Sequence, residues 1–288
     1  MKKKFFVLVL AAVLALALSS CAAEPEPKYI LTEFETTIHF SNTVQKTVFH
    51  FDENWVQTGA TVYVNGEVSQ EMAYELDEQG SLKSITYTVG GETIVEDYAN
   101  TYDSDGNLIR QETWQNGELT GSVEYTYDAD GNRTSSVQTN LAYPGGITYE
   151  TVYNPDGTTA SMRVISADTG ASLTEYLYDE DGNEIRSVTT NEAGVVVSET
   201  NSSYNDDGKI TVSVDTYYND DGTPRETSAA EYTWEGNVRT THISGDSDNY
   251  SIIEYDEAGN MIRSEIYSGG ELMTSQRCTY VQVDGSAK

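Results

Sequence analysis

Tyr102-Asp103-Ser104-Asp105-Gly106-Asn107 returns as Tyr127-Asp128-Ala129-Asp130-Gly131-Asn132 and as Tyr178-Asp179-Glu180-Asp181-Gly182-Asn183. A fourth copy is Tyr255-Asp256-Glu257-Ala258-Gly259-Asn260. Looser copies are Tyr153-Asn154-Pro155-Asp156-Gly157, Tyr204-Asn205-Asp206-Asp207-Gly208, Leu76-Asp77-Glu78-Gln79-Gly80 and Phe51-Asp52-Glu53-Asn54. Trp234-Glu235-Gly236-Asn237 is a degenerate form. From Gly80 to Gly259 there are 179 residues in seven steps, or 25.6 per step. Asp-x-Asp-Gly suits a type I turn closed by a left-handed Gly, the three-residue hairpin connection with a bulge. Asp fits the first position because its carboxylate accepts from backbone N–H groups further along the turn.

A tighter class of turn sits between these. Asn65-Gly66, Gly90-Gly91, Asn116-Gly117 and Gly269-Gly270 are dipeptides that tolerate positive φ at both centres of a two-residue hairpin. The segments between turns alternate and favour Thr, Val, Tyr and Ile, as in Gly121-Ser122-Val123-Glu124-Tyr125-Thr126-Tyr127. Each unit therefore reads as two strands of about nine residues, within the usual range. The alternation of turns slips once, where Tyr218-Asn219-Asp220-Asp221-Gly222 puts a long turn in place of a short one. The fold class expected is all-β: an antiparallel hairpin meander of about twenty strands, coiled into a curved extended sheet because open sheets of that width curl.

Two sheet faces follow from the register. Pairing Asp103 with Asn107 sets Tyr102 by Leu108 and Asn100 by Arg110; likewise Tyr178 by Glu184, Tyr176 by Arg186 and Tyr127 by Arg133. One face is then expected to be Tyr-rich with interspersed Arg. The other carries Thr101 with Ile109, Val152 with Ala160, Leu177 with Ile185, and Ile262. Tyr102, Tyr125, Tyr127, Tyr176, Tyr178, Tyr255 and Trp114 are the candidate ligand-binding residues. Tyr combines an apolar ring with a polar tip and suits both sugar stacking and partner contact, but the same residues also suit packing inside a curled sheet.

The chain has 288 residues, 16 Lys+Arg and 47 Asp+Glu, for a formal net charge of −31. Such a balance opposes nucleic-acid binding, which needs clustered cations. It also rules out a polybasic grip on anionic lipid. Twenty-one Tyr, regular alternation and only five Pro argue for a folded chain rather than an acidic disordered one.

Lys2, Lys3 and Lys4 precede an apolar run from Phe5 to Leu18, too short to span a bilayer comfortably and fitting a signal-peptide core. Leu18-Ser19-Ser20-Cys21 resembles a bacterial lipobox, which implies that Cys21 is lipidated and becomes the new N-terminus. An ordinary secretory signal ending near a Cys is the alternative. The expected organisation is a signal peptide over 1–20, a Pro-bearing spacer over 21–28 and the hairpin repeats over 29–288. The expected location is extracytoplasmic, with acyl chains on Cys21 holding the protein to the bacterial cell membrane. Cys278 is then left without an intramolecular disulfide partner and reads as a partly buried strand residue.

The motif Gly121-x-x-x-Tyr125-x-Tyr127-Asp128-x-x-Gly131-Asn132 resembles the YD repeat of Rhs-type proteins. That resemblance covers roughly residues 50 to 285. It implies tandem hairpins coiled into a curved or closed β-shell, and carbohydrate binding, proposed for some members of the family. No toxin or self-cleaving module is expected after the repeats, and the repeats are too few to enclose much cargo. The family's encapsulating role is therefore not carried over.

No residue is assigned a catalytic role: no nucleophile elbow, His-Glu-x-x-His motif or phosphate loop is present. His39 and His50 are placed across a hairpin near Thr43-Val44, but they lack the further ligands a zinc site needs. Asp103, Asp105, Asp128, Asp130, Asp179 and Asp181 form an acidic turn rim, a weak calcium candidate. Counting from Asp103, Asp128 and Asp179, the twelfth position of a calcium loop holds Trp114, Thr139 and Thr190 rather than the bidentate Glu. The expectation is a non-enzymatic surface lipoprotein without cofactor, serving as a binding or spacer surface. Its partners are the membrane and a carbohydrate or surface protein; the alternative is a carbohydrate-binding module that uses the Tyr/Trp face.

Overall fold

The computed structural model describes residues 28–89, 91–141, 147–166, 169–219, 221–243 and 246–283. The segment expected to be a signal peptide and nearly all of the expected spacer, Cys21 included, lie outside the described residues. The described chain forms twenty antiparallel strands and one 3-10 turn, His39–Ser41. In the first half these are β1 (Lys28–Ile38), β2 (Thr43–Phe51), β3 (Gln57–Val64), β4 (Glu67–Leu76), β5 (Leu82–Val89), β6 (Glu92–Tyr102), β7 (Leu108–Gln115), β8 (Glu118–Tyr127), β9 (Arg133–Asn140) and β10 (Ile147–Tyr153). In the second half come β11 (Thr159–Ser166), β12 (Gly170–Tyr178), β13 (Glu184–Asn191), β14 (Val196–Tyr204), β15 (Ile210–Tyr218), β16 (Pro224–Glu235), β17 (Val238–Ile243), β18 (Asp246–Tyr255), β19 (Met261–Ser268) and β20 (Glu271–Val283).

Every strand pairs with its neighbours in sequence, and β1 also pairs with β20. The meander therefore closes into a barrel and leaves no free sheet edge among the described residues. Twenty strands at about 4.8 Å spacing give a circumference near 96 Å, hence a backbone radius of about 15 Å or more once tilt is added. A wall of that radius does not fill itself with side chains. Ala60, Val62, Ile85 and Val283 are the buried hydrophobics among the described residues. The β-repeats form a shell around a bore rather than a layer over a packed core.

The long turns are built as the sequence predicts. Asp103 N–H donates to Asn107 O at 3.0 Å, and Gly106 N–H to Asp103 O at 3.3 Å, with Gly106 at φ +88°. Asp103 Oδ1 accepts from the backbone N–H groups of Asp105 and Asn107, both at 2.9 Å, and Oδ2 accepts from Asn107 Nδ2 at 3.0 Å. Asp128, Asp179 and Asp256 hold their turns in the same way. Asn154, Asn191, Asn205 and Asn219 stand in the Asp position, and their turns close with the same pair of backbone bonds. The turn at Asn219 lies on the rim of short turns, as the slip in the repeat predicts. The turn at Asn191 is a second long turn on that rim. Conversely, β16 and β17 are joined tightly on the long-turn rim, where Glu235 pairs with Val238.

The register differs from expectation in one repeated respect. Tyr102 stands opposite Leu108, but the ladder shifts there, and Thr101 rather than Asn100 stands opposite Arg110. Likewise Leu177, not Tyr176, pairs with Arg186, and Val152 pairs with Ser161 rather than Ala160. A bulge follows each long turn and places one extra residue on the outgoing strand. Since side chains alternate with period two, that residue flips the whole strand to the other face. Arg110 and Arg186 thus leave the Tyr face. Arg133, directly opposite Tyr127, stays on it.

The result is a segregation of charge. On the face opposite Tyr102, Tyr125, Tyr127, Tyr176, Tyr178 and Tyr255, Arg110 bridges Glu112 (2.6 Å) and Glu124 (2.9 Å), and Arg263 bridges Glu254 (2.9 Å) and Glu265 (2.8 Å); Tyr218 and Tyr267 share this outer face, bonding Glu199 and Glu265. Arg186–Glu199 (2.8 Å), Arg163–Glu150 (3.4 Å) and Lys46–Glu33 (2.8 Å) lie on the same face. Closure crowds side chains on the concave face and spreads them on the convex one. In β6, Val95, Asp97, Ala99 and Thr101 are exposed, while Ile94, Glu96, Tyr98, Asn100 and Tyr102 between them are partly buried. β4, β8, β12 and β14 repeat the alternation towards their long-turn ends. The Tyr face therefore lines the bore, and the ion pairs face outward.

Candidate functional site: the tyrosine-lined bore

Most rim aromatics are committed to the wall. Tyr127 OH donates to Leu108 O at 2.8 Å, Tyr178 OH to Thr159 O at 3.0 Å and Tyr204 OH to Glu184 O at 2.9 Å. Trp234 Nε1 makes the equivalent bond to Ile210 O at 2.9 Å. In each case the ring at the end of an even strand caps a carbonyl at the start of the odd strand before it. Tyr102 makes a variant of this tie, donating to Asp77 Oδ2 at 2.5 Å; Asn100 Nδ2 donates to the same oxygen at 2.8 Å. Burial raises the Tyr102 phenol above its usual pKa. Around Asp77 the hydrogen bonds outweigh desolvation and hold the carboxyl below its usual range.

One step deeper, Tyr125 lies beneath the Arg133 guanidinium, 4.2 Å from ring centroid to Cζ. Tyr176 faces Ser187, and burial raises its phenol, as it does that of Tyr125. Tyr255 stacks on Trp234 with centroids 5.9 Å apart and planes at 25°. Six of the seven sequence candidates thus share the concave face. Trp114 does not: it stands opposite Asp97, on the charged face. The rim acids Asp103, Asp128 and Asp179 spend their oxygens on turn N–H groups, whereas Asp105, Asp130 and Asp181 are exposed. Among the described residues no three His, Cys, Asp or Glu side chains converge on a common point. His39 and His50 do not face each other. His50 stands opposite Gly59 and bonds Thr61 Oγ1 at 2.8 Å, and His39 bonds Ser275 Oγ at 3.0 Å. The intervening turn falls at His39 itself, earlier than the sequence suggests.

Between the aromatics, the concave face mixes aliphatic side chains, among them Ile94, Val123 and Val164, with neutral polar ones. Gln111 stands opposite Asn100 and donates to its Oδ1 at 2.9 Å; Ser136 stands opposite Tyr125, and Gln138 opposite Tyr149. Two features were not visible in the sequence. Glu96 is a concave-face carboxylate held by Tyr98 OH (3.1 Å) and Gln115 Nε2 (3.2 Å); Gln115 also donates to Tyr87 OH at 3.1 Å. Burial, with Glu96 second, pushes the Tyr98 phenol far above its usual range. The other feature is a cluster of rings and cations around Arg239. The one sequence signal for it is Trp234, standing where other repeats have Tyr.

No protein-family model matches the chain, and no curated protein matches it. Solved structures do. "Crystal Structure of TcdB2-TccC3-TEV" is similar at 14% identity over 78% of this chain and 17% of that one, with a TM-score of 0.26. "Crystal Structure of TcdB2-TccC3-Cdc42" is similar at 15% identity over 86% and 18%, with a TM-score of 0.28. A porin-like protein from Bacteroides uniformis ATCC 8492 is similar at 9% identity over 88% of this chain and 96% of that one, with a TM-score of 0.40. The chain spans less than a fifth of the length of the two TcdB2-TccC3 chains. Likeness at this level is one of strand architecture, not of function.

Proposed function

We propose that this chain is a lipid-anchored extracytoplasmic binding protein without catalytic function, and that its concave face receives carbohydrate. The observation that supports this most is the segregation of the two faces. Outward there are Arg–Glu pairs; inward there are Tyr rings among aliphatic side chains such as Ile94 and Val123 and neutral ones such as Asn100, Gln111 and Ser136. A sugar offers hydroxyls to such amides and hydroxyls, and C–H faces to such rings. The YD-type motif supports the same reading. Mid-strand ion pairs on the convex face interrupt the tall apolar band that a bilayer-spanning barrel presents to lipid. Acyl chains on Cys21, not the strands, are therefore the membrane attachment in this proposal.

The test of binding is a glycan array read with the full chain and with a Tyr125→Ala/Tyr176→Ala variant. These two are chosen because the rim tyrosines carry wall hydrogen bonds. A blank array from the full chain ends the carbohydrate reading, and signal that survives both changes removes Tyr125 and Tyr176 from the binding surface. The anchor is tested by metabolic labelling with a palmitate analogue in the source cell. Label must be present on the wild-type chain and absent from Cys21→Ser.

A further inference from the structure

Arg239 is unlike the arginines of the convex face. Arg110, Arg163, Arg186 and Arg263 each hold at least one carboxylate. Arg239 takes part in none of the ion pairs between described residues. Its Nε is buried and has no hydrogen-bond partner. Aromatic rings surround it instead: its Cζ lies 5.6 Å from the Tyr232 centroid, 5.9 Å from Trp234 and 6.0 Å from Tyr255. A second cation joins the group, with Lys209 Nζ 4.8 Å from the Trp234 ring and donating to Gly236 O at 3.0 Å.

Three adjacent strands build this cluster. Trp234 on β16 stands opposite Arg239 on β17, and Arg239 stands opposite Ile253 on β18, two residues before Tyr255. The tight β16–β17 turn places Trp234 in this pair, and its bond to Ile210 O fixes the indole. The rings attract the guanidinium but accept no in-plane hydrogen bond. A buried N–H donor with no acceptor costs free energy, and a guanidinium fork matches a carboxylate or sulfate oxyanion. In a chain of net charge −31, Arg239 and Lys209 are two neighbouring cations that take part in none of the ion pairs between described residues.

We propose that Arg239, framed by Tyr232, Trp234 and Tyr255 with Lys209 beside it, is the binding site for an anionic sugar ring, one bearing a carboxylate or a sulfate. The oxyanion pairs with Arg239, and the ring's apolar face lies on the stacked Trp234 and Tyr255. This rests on the carbohydrate reading above and narrows it to acidic glycans.

The test is titration calorimetry on the full chain in detergent, with three probes: a galacturonate trisaccharide, a sulfated galactose trisaccharide and neutral galactotriose. At least one acidic probe should bind ten-fold or more tighter than the neutral one, and the two acidic arms separate carboxylate from sulfate. Arg239→Gln should weaken the acidic probe ten-fold or more and remove the discrimination. Arg110→Gln, on the other face, should change nothing. Should Arg239→Gln fail to fold, Arg239→Lys serves: it keeps the charge, loses the planar fork and should weaken the acidic probe at least three-fold. Neutral and acidic probes bound equally, or acidic binding indifferent to the Arg239 variants, overturn this site while leaving the carbohydrate reading intact. No binding of any probe, together with a blank glycan array, overturns both.

Discussion

The phenol of Tyr127 donates to the carbonyl of Leu108 at 2.8 Å, and the same tie recurs between Tyr178 and Thr159 and between Tyr204 and Glu184. Each long turn is thereby fastened to the start of the strand before it. In a shell with so few buried hydrophobics, these bonds carry an unusual share of the order between hairpins.

Tyr127→Phe should therefore cost about 1 kcal/mol, the usual net worth of such a bond, with little change in packing. Tyr127 shares no partner with the other two, so Tyr127→Phe should add nearly linearly to either, whereas Tyr178 and Tyr204 both border Glu184 and their changes should couple. Urea unfolding followed by circular dichroism measures this. A triple variant as stable as wild type would show that the ties are incidental.

Two glycines should respond differently to alanine. Gly131 sits at φ +84° with open space where a Cβ would stand, so Gly131→Ala costs only backbone strain, about 1–2 kcal/mol. Gly59 lies in β3, where an added Cβ would meet the backbone oxygen of Met72. The clash is with backbone, so β3 and β4 must separate. Gly59→Ala should destabilise more than Gly131→Ala, and melting temperatures compared side by side check the order.

The turn carboxylates give an acid-sensitive contribution. Side-chain and backbone hydrogen bonds hold Asp103, Asp128, Asp179 and Asp256 below the usual carboxylate range. A depressed folded-state pKa means stability that is present above the unfolded value, near pH 4, and lost as pH falls through the folded value. Asn already holds the equivalent turns at Asn154 and Asn205. A four-fold Asp→Asn variant should thus fold, and its stability deficit relative to wild type should shrink as pH drops from 6 to 3. A deficit independent of pH would contradict the role given to these carboxylates.

At the alkaline end the sign reverses. Burial, then the neighbouring Cys278, pushes the Tyr280 phenol up to about 12. A phenol whose folded-state value is raised contributes stability that is complete below its unfolded value, near pH 10, and is lost as pH rises through about 12. Phenolate absorbance at alkaline pH should show a late-titrating class of tyrosine, and Tyr280→Phe should reduce its size.

The sequence by itself determined the turns, and with them the strand number. Asp103, Gly106 and Asn107 bond to one another within five residues, so their chemistry is readable wherever the motif recurs. It also determined which residues are aromatic at the strand ends. What each face presents was decided by the ladder: one bulged residue between Thr101 and Arg110 moved the arginines outward, and nothing in the alternation of residue types records that shift. Closure, too, belongs to the tertiary structure. Phe34 pairs with Cys278, and Thr32 Oγ1 bonds Thr279 O at 3.1 Å, across 247 residues. Whether such distant strands meet depends on twist and curvature summed over every hairpin between them. The solitude of Arg239 follows from the same geometry, because which side chains surround a cation is fixed by the neighbouring strands and not by its neighbours in the chain.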